Sequence, residues 1–266
     1  MSIFVEKKHE IDNIRQQQLE ILNNVVSICE KHDLAYFLEG GTLAGAIMHN
    51  GFGPYDDDID ISMPRKDFEK FITICQDELL PNNYLDYYTT NANFSLTFAK
   101  VKNTTINYPE KNRPSHIYSH VFIDIFPLDE IRYEKGIPVH IILSLNDIMK
   151  HIIFTRNSSK NKTKIKQLYM QLLKLIKTEH LFKIYYFLFT REQNSGFLIN
   201  HGGRRKKQRF QIIKKESYFP AQKIRFMERD YSRPAFPEYI ILTFGTKYMK
   251  NYSNKQGLSH IDIERL

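Results

Sequence analysis

Apolar positions recur along the chain at two spacings. From Glu10 to His32, residues Ile11, Ile14, Leu19, Leu22, Val25, Val26 and Cys29 fall at helical intervals, which predicts a helix. Leu34–Leu38 is a short apolar run that predicts a central strand, ended by Gly40-Gly41. Thr42 to Met48 fits a second helix, and Gly51-Phe52-Gly53-Pro54 a loop. Asp58-Ile59-Asp60-Ile61 alternates polar and apolar, the pattern of a half-buried strand. Pro64 to about Leu80 predicts a helix with proline at its start. Asn93–Lys102 alternates again and predicts a strand, with Lys100 near its end. Ser119–Leu128 is mostly apolar around one acid, Asp124, and Asp129 and Glu130 read as loop residues after Pro127. Pro138–Phe154 is predicted as one helix and Thr163–Phe189 as one or two more. Beyond Tyr218, turns and a short helix are expected to pack aromatic residues back on the body.

The chemistry concentrates where the second pattern starts. Asp56, Asp57, Asp58 and Asp60 lie almost side by side. Two unit charges ~4 Å apart interact by about 4 kcal/mol at an effective dielectric of 20, so such a cluster needs water, protons or a cation. Side chains repeat every two residues on a strand, which places Asp58 and Asp60 on one face, admits Asp56 to it and turns Asp57 away. Hard oxygen ligands converging at a strand end suit Mg²⁺ or Mn²⁺. The bland alternative is a solvated acidic turn before the next helix. The isoleucine alternation and the upstream glycines weigh against it, and the run has neither the glycine nor the spaced glutamate of an EF-hand. Asp124, alone among Val121, Phe122, Ile123, Ile125 and Phe126, is costly unless paired or metal-bound. Gly41 leaves room for a phosphate to approach the backbone, and Thr42 can cap the helix whose free amides favour an anion. Lys100 can meet a phosphate or stand as an exposed edge lysine. His116 and His120 lack the Cys/His company of a zinc site and are read as structural or substrate-facing.

Length and charge refine this picture. The 266 residues, 42% hydrophobic, suffice for one large domain or two small ones. Arg156–Lys215 holds 16 Lys and Arg against two acids, a net of +14, so the remainder carries −6 of the total +8. A solvated basic face is the usual meaning; docking on an anionic membrane surface is the sharper one. The two cysteines, Cys29 and Cys75, fall in predicted helices and read as buried free thiols in a reducing compartment. The N-terminus has no apolar run, which argues against a signal peptide. The longest apolar stretches, Ile137–Phe154 and Leu181–Leu188, are broken by polar residues and fall short of the ~20 apolar residues of a span. A cytoplasmic location is expected, soluble or peripheral on the inner face of the membrane.

Several of these segments together resemble one family. Gly40-Gly41-Thr42-Leu43, Pro54-Tyr55-Asp56-Asp57-Asp58-Ile59-Asp60, Asp67-Phe68, Ile123-Asp124-Ile125-Phe126-Pro127 and Phe244-Gly245 with Tyr248-Met249 look like the LicD family. That family includes bacterial phosphocholine transferases and is similar to the catalytic domains of fukutin and fukutin-related protein. The resemblance runs from about Leu34 to Met249 and thins between Gly136 and Lys215. It implies an α/β (α+β) fold: a nucleotidyltransferase-like mixed β-sheet flanked by helices, with a basic helical insertion. The segments would be an N-terminal helix (1–33), a catalytic core (34–135), the insertion (136–215) and a closing segment (216–266).

The resemblance further implies that Asp58, Asp60 and Asp124 are catalytic and bind metal, with Asp56 a further metal-site acid. Gly40, Gly41, Thr42, His49, Tyr55 and Lys100 would contact the nucleotide or substrate. The implied reaction moves phosphocholine, or a related phospho-alcohol, from a CDP-activated donor such as CDP-choline to a sugar hydroxyl of a glycan or its lipid-linked precursor, with Mg²⁺ or Mn²⁺. The alternatives are nucleotidyl transfer to a small molecule, or a non-catalytic basic protein that binds membrane or RNA. The segment lacks a recognisable RNA-binding motif, which argues against nucleic acid. The chain departs from the family pattern at Met48, where arginine is usual, at Tyr55, where tryptophan is usual, and at Thr246-Lys247, which separates Gly245 from Tyr248.

Overall fold

A computed structural model describes residues 7–54, 56–110, 119–133, 135–156, 164–191, 194–200 and 212–236. The predicted first helix is α1, Lys8–Lys31. After it come β1 (Phe37–Leu38), α2 (Gly40–His49), β2 (Asp60–Pro64) and α3 (Arg65–Ile74), which a 3₁₀ turn at Cys75–Asp77 extends. β3 (Asn83–Asp86), β4 (Ala99–Asn107) and β5 (His120–Ile131) follow. Three helices, α4 (Ile137–Arg156), α5 (Lys164–Lys174) and α6 (Thr178–Phe189), precede β6 (Phe197–Asn200) and β7 (Ile212–Lys214). A hairpin of β8 (Gln222–Phe226) and β9 (Arg229–Arg233) ends the described chain.

Seven strands make one mixed sheet, ordered β1-β2-β5-β4-β3, with β6 and β7 added through β5. The long β5 organises it. Its first half pairs with β4, its middle with β2 and its end with β6. β2 and β5 run parallel; the other pairings are antiparallel. The apolar face carries Ile61, Ile125 and Ala99 in one cross-strand row and Ile123, Val101 and Leu85 in the next. All six are buried. The same phase of β4 and β5 carries Asn103, which donates to Gln17 of α1, and Asp129, which accepts from Arg65 of α3, so both helices lie on this face.

Several expectations are revised. Leu34–Leu38 gives only a two-residue strand at the sheet edge, because β2 pairs with β5 on its other side. Residues 93–98 are turns and irregular chain; Phe94 and Leu96 are buried, but pairing with β5 begins at Ala99. The helix after Pro64 is shorter than expected and ends in the 3₁₀ turn. Asp129 and Glu130 lie in β5 rather than a loop: Asp129 accepts from Arg65 at 2.6 and 2.9 Å, and Glu130 accepts from Lys215 at 2.8 Å. Segment 136–215 is not purely helical, since β6 and β7 join the main sheet. The tail forms a hairpin where turns were expected, and the part of it after Phe236 lies outside the described residues. His116 also lies outside them, while His120 opens β5 with Nδ1 3.2 Å from the Tyr84 hydroxyl.

Both cysteines are free and buried, as expected. Burial pushes the Cys75 thiol up to about 12 and the Cys29 thiol higher still. α4 is long and apolar enough, by length and composition, to cross a membrane, contrary to the reading of its broken pattern, and only 22% of that stretch is buried.

The hairpin fastens the front of the chain. Met227 donates its amide to the Asn50 carbonyl at 2.6 Å, just past α2. Tyr231 donates to Asn23 at 2.8 Å and Arg229 to Glu30 at 2.7 Å, both on α1.

The Arg65–Asp129 pair tests how the fold tolerates buried charge, since the Asp129 side chain is fully buried. Arg65→Met should lower the unfolding free energy in a urea titration by about 3–5 kcal/mol, because the buried carboxylate loses its guanidinium. Adding Asp129→Leu to that variant should recover most of the loss.

Candidate active site

The opposite phase of the strands carries charge. Asp60 pairs with Asp124 between β2 and β5, Asp124 with Lys100 between β5 and β4, and Lys100 with Asp86 between β4 and β3. Directly opposed residues share a face. The four therefore form one row across four strands, on the face away from the isoleucines. Lys100 Nζ lies 2.9 Å from Asp124 Oδ1, 3.5 Å from Glu110 Oε1 and 3.1 Å from the centroid of the Phe122 ring. It is buried in an interior strand, so it is not an edge lysine. Two residues on, Lys102 meets Asp86 at 2.5 Å; burial lowers the pKa of its ammonium, opposed by Asp86.

Asp56, Asp57 and Asp58 precede β2, which starts two residues later than the alternation predicts. Their backbone is held from outside. Arg15 of α1 donates to the carbonyls of Asp56 (2.7 and 3.0 Å), Gly53 (3.0 Å) and Pro54 (3.2 Å). Gln18 and the Tyr108 hydroxyl each donate to the Asp57 carbonyl at 2.9 Å. The Asp60 amide donates to Thr42 Oγ1 at 2.8 Å, the Asp60 carbonyl accepts from the Glu39 amide at 2.9 Å, and the Asp124 amide donates to the Ile59 carbonyl at 2.9 Å. Thr42 thus ties α2 to β2 instead of capping its own helix, whose N-cap is Glu39.

The two glycines admit carboxylates. Gly40 sits at φ +53°, and a Cβ there would stand 2.9 Å from Asp60 Oδ2. A Cβ on Gly41 would stand 3.2 Å from Asp56 Oδ1. The space expected for a phosphate thus receives two aspartates, brought against the start of a helix whose amides favour negative charge. Glu39, just before them, accepts from Ser62 at 2.7 Å and from Tyr218 at 3.3 Å.

Electrostatically the cluster is under tension. Burial, then the charges of Asp60, Asp56, Asp57 and Asp124, hold Asp58 well above the ordinary carboxylate range. Asp60 is raised by burial, then by Asp124, Asp56 and Glu39, against the opposing pull of Lys100. Near Lys100, buried Glu110 Oε2 has no hydrogen-bond partner among the described residues. An excess of hard oxygen donors with one ammonium facing them fits a hard divalent cation. Among the described residues, no three acid, histidine or cysteine side chains already close into a finished metal cage. The donor chemistry fits; Lys100 stands on Asp124, one of the expected ligands.

With this geometry in view, the comparisons acquire meaning. Residues 33–141 match the LicD/FKTN/FKRP nucleotidyltransferase domain. It is across this segment that the chain is similar to the LicD family. Within 64 residues the chain is 45% identical to the lipopolysaccharide cholinephosphotransferase LicD of Haemophilus influenzae, a match covering 23% of this chain and 24% of that one. It is 27% identical over 123 residues to an uncharacterised protein of Rickettsia prowazekii, covering 46% of this chain and 44% of the relative. An uncharacterised protein of Rickettsia typhi is 32% identical over 62 residues, covering 23% of this chain and 20% of the relative. Each match spans less than half of the relative's length. The LicD segment contains Gly40, Gly41, Thr42, Asp56, Asp58, Asp60, Lys100 and Asp124. The ending around Phe244 and Met249 lies outside both the LicD segment and the described residues.

The fold gathers most of the expected residues. Asp56, Asp58, Asp60, Asp124, Gly40, Gly41, Thr42 and Lys100 come together. His49 does not: it ends α2, about 13 Å along the axis from Gly40 at 1.5 Å per residue. Tyr55 lies outside the described residues. Sequence reasoning missed Glu39, Asp86, Lys102 and Glu110, and the clamps Arg15, Gln18 and Tyr108. Two signals were present: the period-two repeat of Lys100 and Lys102, and Arg15 and Gln18 set among the apolar positions of α1.

The raised acids give a pH test. Unfolded Asp58 releases its proton near the ordinary value of 3.8, but the folded one holds it to higher pH. Between those values the native state binds more protons, so stability falls as pH rises. In chelator, Asp58→Asn should flatten that part of the pH–melting curve and melt higher than the parent at pH 7. Gly40→Ala should do the reverse, lowering the melting temperature at neutral pH, since the left-handed backbone and Asp60 both oppose a methyl group.

Proposed function

We propose that this protein transfers phosphocholine, or a related phospho-alcohol, from a CDP-activated donor to a sugar hydroxyl of a cell-surface glycan or its lipid-linked precursor. The observation that carries the reading is the in-register pair Asp60 and Asp124, flanked by Asp58, Asp56 and Lys100, within the LicD segment. Support for choline comes from the Haemophilus influenzae relative, a lipopolysaccharide cholinephosphotransferase.

Asp58, Asp60 and Asp124 would hold one or two Mg²⁺ or Mn²⁺ ions, with Asp56 assisting. Such ions offset charge on the phosphoryl group and lower the pKa of an attacking hydroxyl. The residues of the chain do the rest. Thr42 and Glu39 hold the backbone of Asp60, and Arg15 holds that of Asp56, so the carboxylates are positioned before substrate arrives. The sugar oxygen bonds to the phosphorus that bears choline, the bond to CMP breaks, and CMP leaves. Asp124 or Asp56 accepts the hydroxyl proton. Lys100 offers the positive charge nearest Asp124 and would take up the phosphate charge of the leaving nucleotide.

The protein should be incubated with CDP-choline, Mg²⁺ and candidate glycans, and the products weighed. A glycan gaining phosphocholine, with CMP released, supports the reading; a small molecule gaining a nucleotide replaces it by nucleotidyl transfer. Asp60→Asn and Asp124→Asn should each cut turnover by roughly a hundredfold or more, on the scale of losing one preorganised electrostatic contact. Unchanged turnover in both would remove these residues from the site.

A further inference from the structure

The three helices between β5 and β6 turn apolar side chains outward. On α4, Ile137, Ile141, Leu145 and Ile148 are exposed and, at 100° per residue, lie within an arc of about 80°. On α5, Leu168, Tyr169 and Leu172 are exposed, and Leu175 and Ile176, in the turn just past its end, continue the apolar surface; Leu175 is 79% exposed. On α6, Ile184, Phe187 and Leu188 are exposed, while Leu181, Phe182, Tyr185 and Phe189 are buried. α4 also packs on both other helices. These outward side chains are thus not the inner faces of loose helices: Val139, Leu143 and Ile153 of α4 are buried as well. A protein surface seldom shows so many large apolar residues in one region unless something covers it.

Charge says what covers it. The exposed apolar residues after α4 sit in the basic part of an otherwise acidic chain, at +14 from Arg156 to Lys215, and α4 leads directly into it. Lys174, Lys177 and Lys183 are exposed beside them, and Asp147 and Glu179 are the only acids in the three helices. Apolar side chains flanked by lysines are the composition of an element lying in the interface of an anionic bilayer, with lysine heads at the level of the phosphates. We propose that α4, α5 and α6 form a docking surface for an anionic lipid bilayer. The apolar stripes enter the interface, and the basic residues select the lipid charge. The surface begins at Ile137, upstream of the basic run, so that run alone does not carry it.

The chain has no tryptophan, which makes a clean test possible. Ile141→Trp would be the sole indole. Its emission should shift to the blue with vesicles containing phosphatidylglycerol and stay unshifted with phosphatidylcholine vesicles alone. In co-sedimentation, Ile141→Glu with Ile148→Glu, and separately Leu172→Glu with Leu175→Glu, should each lower partitioning at least about tenfold with melting temperature unchanged. Two outcomes overturn the proposal. One is binding that the glutamate variants retain but charge reversal of Lys174, Lys177 and Lys183 abolishes. The other is no vesicle binding with a concentration-dependent dimer that Ile141→Glu dissolves, which would assign the face to a second copy. Substrate is absent throughout, so these results are independent of the transfer reaction.

Discussion

The parallel pairing of β2 with β5 is the constraint on which the site depends. Neighbouring strands lie about 4.8 Å apart, and this register sets Asp60 directly beside Asp124. Left to their carboxylates the two strands would repel. They are held instead by the isoleucines of the opposite face, Ile61 against Ile125, whose burial with the surrounding core outweighs the charge cost. Folding free energy is thereby stored as crowded negative charge, with Lys100 relieving part of it from the next strand. A site already strained in this way gains by accepting a cation, because the repulsion is present before the ion arrives.

How the acids are held is as informative as where they lie. Much of the holding is through backbone: Arg15 and Gln18 from α1, Tyr108 and the Glu39 amide donate to carbonyls of residues 53–60, and Thr42 accepts from the Asp60 amide. Such a scaffold fixes the path of the loop through its main chain. The glycines complete it by letting Asp60 and Asp56 approach the first turn of α2.

The legibility of this arrangement in the sequence follows physical range. The alternation of Asp58 to Ile61 exposed the phase of β2, and the isolation of Asp124 in an apolar run exposed a buried carboxylate, because both signals are local. The start of β2 was misplaced by two residues, since the Arg15 and Tyr108 clamps that keep residues 56 and 57 out of the ladder come from distant chain. Lys100 was ambiguous for a similar reason. Only the strand order decides whether a lysine lies at an edge or in an interior strand facing Asp124. Leu34–Leu38 shows the converse: an apolar run suggests a central strand, but the sheet uses two of its residues at an edge, and Leu34 and Tyr36 are buried by packing. The exposed stripes of α4 to α6 were invisible, because periodicity reveals an apolar face but not whether protein covers it.

The hairpin of β8 and β9 carries a consequence for how the chain is made. Its hydrogen bond from Tyr231 to Asn23 joins residues 208 positions apart, and the one from Arg229 to the same asparagine spans 206. α1, which bears the clamps Arg15 and Gln18, leaves the ribosome well before the hairpin, so its fastening is synthesised near the end of the described chain. Contacts this distant make folding slow, because the loop must close before they contribute. During synthesis α1 and the acidic loop are therefore both complete long before the hairpin that fastens α1. An early α1 with Ile11, Ile14, Leu22 and Val25 exposed is the kind of surface that chaperones hold until the last strands emerge.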